Sequence, residues 1–114
     1  MNLERNYPFL ASLRLLHKTA WKGNLAENLA ITFLLKKGNL IFKTIHDTGC
    51  VDLMTIDKRG QTHLYDVKSV SRYHSGKKKG IRISRSRTAY QKKLGVELLF
   101  VDLDNNKCWI TDHV

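Results

Sequence analysis

The feature that most constrains this chain is the stretch DTGCVDLMTIDKRGQTHLYDVKS, residues 47–69, which predicts two β-strands joined by a tight turn at 58–61. Each predicted strand carries an acid among apolar residues, Asp52 in the first and Asp66 in the second. Residues two apart in a strand point to the same face, so Asp66 and Lys68 project together. If the strands pair through the turn, both acids and the lysine converge at one end of the sheet.

Carboxylates buried without a partner are costly, so a cluster of this kind needs a compensating positive charge. A divalent cation supplies that charge, and Mg²⁺ prefers carboxylate oxygens while keeping several waters for substrate chemistry. Glu27 adds a third acid, because it lies at the edge of the apolar stripe of a predicted helix and can lean toward the sheet. These residues predict a metal site for Mg²⁺ or Mn²⁺.

The whole chain, residues 1–114, predicts a single α/β domain in which helices flank a mixed central sheet. The elements expected besides the hairpin are helices at 9–17, 22–37 and 85–94, strands at 40–44, 96–102 and 107–111, and a short strand or lead-in at 81–83. The first 20 residues form an N-terminal helical extension whose leucines need a cover. We expect that extension to serve in oligomerisation.

The charge of the chain predicts its partner. Twenty basic residues oppose ten acidic ones, and no acid occurs from Val67 to Val96. Like charges this dense repel one another unless a polyanion neutralises them, which favours nucleic acid. An anionic membrane is disfavoured because no amphipathic basic helix is evident. The side chains expected to hold backbone phosphates are Arg72, Lys77, Lys78, Lys79, Arg82, Arg85 and Arg87.

Short motifs in a fixed order carry a family resemblance: Gly23-x-x-Ala26-Glu27 on a helix, Asp52 on a strand, and Asp66-Val67-Lys68 on the next strand. In this order and spacing the chain resembles the PD-(D/E)XK nuclease superfamily from about residue 23 to residue 101. The branches it is most similar to are VRR-NUC domains, above all over 47–95, archaeal-type Holliday junction resolvases and small homing endonucleases. The chain departs from the family pattern at two positions. Val51 stands where the family's name has proline, and the second acid, Asp66, is aspartate rather than glutamate.

The resemblance implies a restriction-endonuclease-like core and a metal-dependent DNA endonuclease, either structure-selective on branched DNA or site-specific. Lys68 would position the attacking water or stabilise the transition state, and Gln91 would orient the water or the scissile phosphate. Cutting both strands of duplex DNA needs two sites, so we expect a homodimer or a higher symmetric homo-oligomer. The implied metal ligands are Asp52, Asp66, the carbonyl of Val67 and, directly or through water, Glu27.

Each of these residues also has a plainer interpretation. Asp66 and Lys68 fit an exposed ion pair on an edge strand, whereas Asp52 fits an acid that caps the preceding loop. Glu27 fits an ordinary helix ion pair, and Gln91 fits a surface position on its helix. The alternative function is a non-catalytic basic nucleic-acid-binding protein that uses residues 67–96.

Cellular context follows from what the sequence lacks. No apolar run is long enough to span a bilayer, and the first 18 residues are a poor match to a signal peptide. Cys50 and Cys108 form no CxxC pair, which suits a reducing compartment. We therefore expect an intracellular protein of a prokaryotic, archaeal or phage-infected cell.

Two large aromatic side chains, Trp21 and Trp109, are expected to pack in the core of the fold.

Overall fold

The computed structural model describes residues 9–45 and 49–111, with side chains described from Trp21 onward. Their elements are helix α1 (Phe9–Lys36), strands β1 (Leu40–Lys43), β2 (Leu53–Ile56) and β3 (Thr62–Ser69), helix α2 (Ala89–Leu94), and strands β4 (Val96–Asp102) and β5 (Lys107–Ile110). The strands form one mixed sheet in the order β1-β2-β3-β4-β5. Only β3 and β4 pair in parallel; β1–β2, β2–β3 and β4–β5 are antiparallel.

One face of the sheet packs on α1. The helix contributes Ala26, Ala30 and Leu34, which recur at four-residue spacing and are at most 2% exposed. They form a core with residues of the sheet, among them Leu53, Tyr65, Leu99 and Val101. Small alanines facing the sheet let the helix approach it closely, so this face supplies the hydrophobic stability of the fold.

The opposite face carries α2 and the connection that leads to it from β3. This segment, residues 70–88, is called the basic connection. An isolated antiparallel β-bridge between the backbones of Arg72 and Arg82 closes it into a loop. The Arg72 guanidinium donates to Asp102 at the end of β4, with an N···O distance of 2.9 Å. Asp102 is 4% exposed, and its hydrogen bonds to Arg72 and Asn105 hold its pKa well below its usual range. This ion pair ties the basic connection to the sheet.

The predicted α/β class with a mixed sheet is confirmed, as are the tight hairpin and the strands on either side of residue 104. The two helices predicted at 9–17 and 22–37 are one continuous helix, because no proline or glycine interrupts 9–22. The helix predicted from 85 begins at Ala89, where the Thr88 side chain caps it. The core assignment of Trp21 was wrong, since its side chain is 58% exposed. The oligomerisation role of residues 1–20 stays a prediction, and residues 1–8 lie outside the described ranges.

Replacing Asp102 by asparagine should loosen the basic connection. Because the folded-state pKa of Asp102 lies below the unfolded value, its stabilising effect is present above about pH 4 and is lost as the pH falls further. We expect Asp102→Asn to lower the melting temperature at pH 7 and to speed tryptic cleavage within 72–87.

The control is Asp104→Asn, which removes the same charge from a side chain that is 87% exposed and 3.6 Å from Arg72. Exposed pairs of this kind contribute little. Equal behaviour of the two variants would show that the buried pair does not hold the connection.

Candidate active site

Two carboxylates meet where β2 begins. Asp52 immediately precedes β2, and its backbone N–H donates to the carbonyl of Tyr65 at 2.8 Å, which places it opposite Asp66 of β3. The Asp52 Oδ2 accepts a 2.7 Å hydrogen bond from the backbone N–H of Val67. Asp66 is only 5% exposed, and it lies close enough to Asp52 to raise the pKa of that carboxyl group. The antiparallel pairing therefore brings together the two acids that the sequence singled out.

The electrostatics of this pair favour a cation. Burial raises the pKa of Asp52 to about 6, and the neighbouring charges of Asp66 and Glu27 contribute to the increase. The hydrogen bond from Val67 opposes the shift but does not cancel it. Above pH 6 the Asp52 carboxylate is ionised beside Asp66, at an energetic cost that a bound positive charge would remove.

Two donors hold Asp66. The Lys68 ammonium, on the same face of β3, lies 3.2 Å from its Oδ2, and the Gln91 side-chain amide donates to that oxygen at 2.7 Å. The same amide group donates to the carbonyl of Cys50 at 2.9 Å. Gln91 is 2% exposed and thus joins α2, β3 and the segment before β2 at one point.

The capping box of α2 explains why Gln91 points inward. Its Oε1 accepts from the backbone N–H of Thr88, while the Thr88 hydroxyl accepts from the backbone N–H of Gln91. The pattern Thr-x-x-Gln is a recognised helix-start signature, so the sequence held a signal for the orientation of this side chain. The contact with the Cys50 carbonyl had no such signal.

Glu27 lies near the pair but bonds elsewhere. Its carboxylate forms an ion pair with Lys43 of β1 at 2.9 Å, and its side chain is 25% exposed. It is close enough to Asp52 to raise the pKa of that group. A direct or water-mediated ligand role for Glu27 remains a prediction, and the ion pair with Lys43 is a contact that the sequence did not indicate.

The donor set suits a hard cation that keeps its water. Among the side chains described, those of 21–45 and 49–111, no three from His, Cys, Asp or Glu group closely enough to hold a metal by themselves. Asp52 and Asp66 offer two carboxylates, and Val67 offers a carbonyl between Asp66 and Lys68. Mg²⁺ is commonly bound by one or two carboxylates with waters and substrate phosphates, so the chemistry of these residues fits it.

The predicted phosphate-binding side chains separate into two groups. Five are exposed on the connection between β3 and α2: Lys77, Lys78, Lys79, Arg82 and Arg85. The other two are half-buried and bonded inside the protein, Arg72 to Asp102 and Arg87 to the Val96 carbonyl at 3.2 Å. DNA contact remains a prediction for all seven, and the internal bonds give Arg72 and Arg87 a structural task.

Comparison with known proteins supports the fold. No known family model and no curated protein matches the chain. One similar solved structure is a bacterial homing endonuclease, I-Ssp6803I, with a TM-score of 0.61 and 23% identity, covering 82% of this chain and 64% of that one. The chain therefore spans less than two thirds of that structure's length. The likeness to that structure confirms the α/β architecture with its mixed sheet.

None of the described helices is long and apolar enough to cross a membrane.

Asp52→Asn should stabilise the protein in EDTA at pH 8. The folded-state pKa of about 6 exceeds the usual aspartate value of 3.8, so ionisation of Asp52 destabilises the fold as the pH rises from about 4 to 6. This cost persists at higher pH. The asparagine retains an acceptor for Val67 and can donate to Asp66. We expect the free energy of unfolding to rise by about 1 kcal/mol, a value reduced for partial exposure.

Urea unfolding at pH 8 and pH 4 checks this expectation. The gain should vanish at pH 4, where Asp52 is protonated in the native state. A variant that is less stable than the parent at pH 8 would show that the two carboxylates do not oppose one another.

Proposed function

We propose that this protein is a metal-dependent DNA endonuclease that hydrolyses phosphodiester bonds. The observation that carries the proposal is the placement of Asp52 opposite Asp66 across the β2–β3 pairing, with the Lys68 ammonium 3.2 Å from Asp66 on the same sheet face. Two adjoining carboxylates raise the cost of ionisation unless a cation is bound, and a lysine beside them is suited to a phosphoryl substrate. The net charge of +10 supports a polyanionic substrate.

In this proposal Asp52, Asp66 and the Val67 carbonyl hold Mg²⁺ or Mn²⁺, with Glu27 as a further, water-mediated ligand. The bound cation lowers the pKa of a water molecule and neutralises charge on the phosphate oxygens. Lys68 orients the attacking water or stabilises negative charge on the phosphate as it reacts. Gln91 positions Asp66, since its amide donates directly to that carboxylate.

The exposed lysines and arginines of residues 77–85 would hold the DNA backbone. Phosphate contacts of this kind make affinity fall steeply with salt. The similarity to a bacterial homing endonuclease supports DNA as the substrate and site-specific cutting as one mode; cutting at branched DNA is the other. A symmetric homo-oligomer would supply the second site needed to cut both strands. DNA as substrate agrees with the intracellular location expected from the sequence.

Two substitutions test the catalytic assignment. Asp66→Asn removes a metal-binding charge and Lys68→Ala removes the ammonium, and each should reduce cleavage at least about 100-fold while DNA binding in EDTA is retained. The matched controls are Asp104→Asn and Lys92→Ala, which make the same charge changes on exposed side chains and should cleave like the parent. The measurement is cleavage of supercoiled plasmid and of a synthetic four-way junction with Mg²⁺ or Mn²⁺.

The substrate that is cut distinguishes the two modes. Cleavage of the junction alone identifies a structure-selective enzyme, and plasmid cleavage at fixed positions identifies a site-specific one. If DNA binds but neither substrate is cut with either metal, and Asp66→Asn changes nothing, the protein is the non-catalytic binding module instead. A long random-sequence plasmid library in the same assay covers rare target sites.

A further inference from the structure

A cavity of about 350 Å³ lies between β3–β5 and the basic connection. Its walls include Phe100 of β4, Trp109 of β5 and Ile81, Arg82 and Arg85 of the connection. The volume falls at the lower end of the range for small-ligand pockets, roughly 300–1,000 Å³. None of the roles proposed for Asp52, Asp66 or Lys68 uses this cavity.

The cavity opens on the same sheet face as the candidate active site. Lys68 of β3 pairs with Phe100 of β4, and Phe100 pairs with Trp109 of β5. Side chains at paired positions share a face, and neighbouring strands are about 4.8 Å apart. The backbone of Trp109 therefore lies roughly 10 Å from that of Lys68, because two strand spacings separate β5 from β3. A DNA strand that reaches the active site passes within a few nucleotides of the cavity.

The walls of the cavity are flat, aromatic and positively charged. The Phe100 and Trp109 rings are stacked at 5.7 Å with 18° between their planes. The Arg82 guanidinium lies 5.0 Å from the centre of the Trp109 ring. Backbone hydrogen bonds from Tyr73 to Ile81 at 3.1 Å and from Ile83 to Ser71 at 2.7 Å hold Arg82 in this position. Ring and guanidinium together make a platform for a planar ligand that carries negative charge.

A nucleobase attached to its phosphate matches this chemistry. Its π-face stacks on indole or guanidinium, while Arg85 lies at the cavity wall within reach of the adjoining phosphate. The Thr111 hydroxyl also lines the cavity and is buried without a hydrogen-bond partner in the described part of the chain, so it can form a hydrogen bond with the edge of a base. In paired duplex DNA the faces of the bases are covered by their neighbours, so only an unpaired or extruded base can stack here.

We propose that the Phe100–Trp109–Arg82 cavity binds one unpaired nucleobase of a DNA strand that lies over the active site. The inference rests on the proposed endonuclease function, which supplies the DNA strand at the active site. It adds that the active site prefers DNA with an unpaired nucleotide.

Fluorescence of 2-aminopurine tests the inference without cleavage. The full chain is titrated in EDTA with a duplex that carries one unpaired 2-aminopurine, and with the fully paired duplex of the same length. Stacking on the indole should quench the unpaired probe and strengthen its binding. Trp109→Ala should abolish the quenching and weaken binding of the bulged duplex roughly 5- to 100-fold, the worth of about one stacked base. Binding of the paired duplex should change less than about twofold.

Three further variants make the result specific. Trp21→Ala is the matched control, because it removes the same side chain from an exposed position on α1 and should leave both duplexes bound as before. Trp109→Phe keeps an aromatic face and should retain most of the affinity for the bulged duplex. Arg82→Gln changes an exposed side chain and should weaken the bulged duplex more than the paired duplex, because it removes a phosphate contact from both and the guanidinium beside Trp109 only from the bulged one. This difference keeps the test decisive if Trp109→Ala does not fold.

Equal losses for bulged and paired DNA, or no loss in Trp109→Ala and Arg82→Gln, would overturn the inference. Because these titrations contain no metal, they are independent of cleavage. If cleavage depends on Asp66 but the protein does not bind the bulged duplex preferentially, the endonuclease proposal is supported and the base site is contradicted. If the unpaired probe is selectively quenched but no DNA is cut, the base site is supported and the endonuclease proposal is contradicted.

Discussion

The placement of Asp52 opposite Asp66 is the constraint on which the rest of this structure depends. A buried carboxylate, Asp66, beside a half-buried one, Asp52, opposes folding unless each is held by donors or by a cation. Asp52 receives the Val67 N–H at 2.7 Å, and Asp66 receives Lys68 and Gln91. These donors come from β3 and α2, so the arrangement of the sheet and of its second helix is what makes the acid pair tolerable.

The parallel pairing of β3 with β4 links this acid pair to the basic surface. Parallel neighbours need a long crossover, and here residues 70–95 provide it, ending in α2. The crossover carries Gln91 to Asp66 and leaves the exposed lysines and arginines on the same side of the sheet. Arg72, bonded to Asp102, fixes its beginning. One topological requirement thus places Asp52 and Asp66, the proposed metal ligands, beside the side chains that would hold a phosphate backbone.

The two faces of the sheet have separate tasks. The α1 face is apolar and close-packed around residues such as Ala30, Leu53 and Leu99, and it supplies the stability that a polar face cannot. The other face holds the carboxylates, the lysine and the cavity around Trp109. Functional groups on strands are held more rigidly than groups on loops, which suits chemistry that depends on distances of a few tenths of an ångström.

The sequence by itself determined the local part of this protein. Alternation within a strand determined that Asp66 and Lys68 share a face, and the short turn determined that Asp52 would lie opposite. The apolar stripe of α1 and the glycine at its end were equally local, although an uninterrupted helix was misread as two. Only the tertiary structure decided that β3 pairs with β4 in parallel, that Gln91 reaches Asp66, that Arg72 and Arg87 are bonded internally, and that Trp109 lines a cavity. The physical reason is that periodicity tells which face of an element is apolar, whereas the partner which covers that face is chosen by packing between residues far apart in the chain.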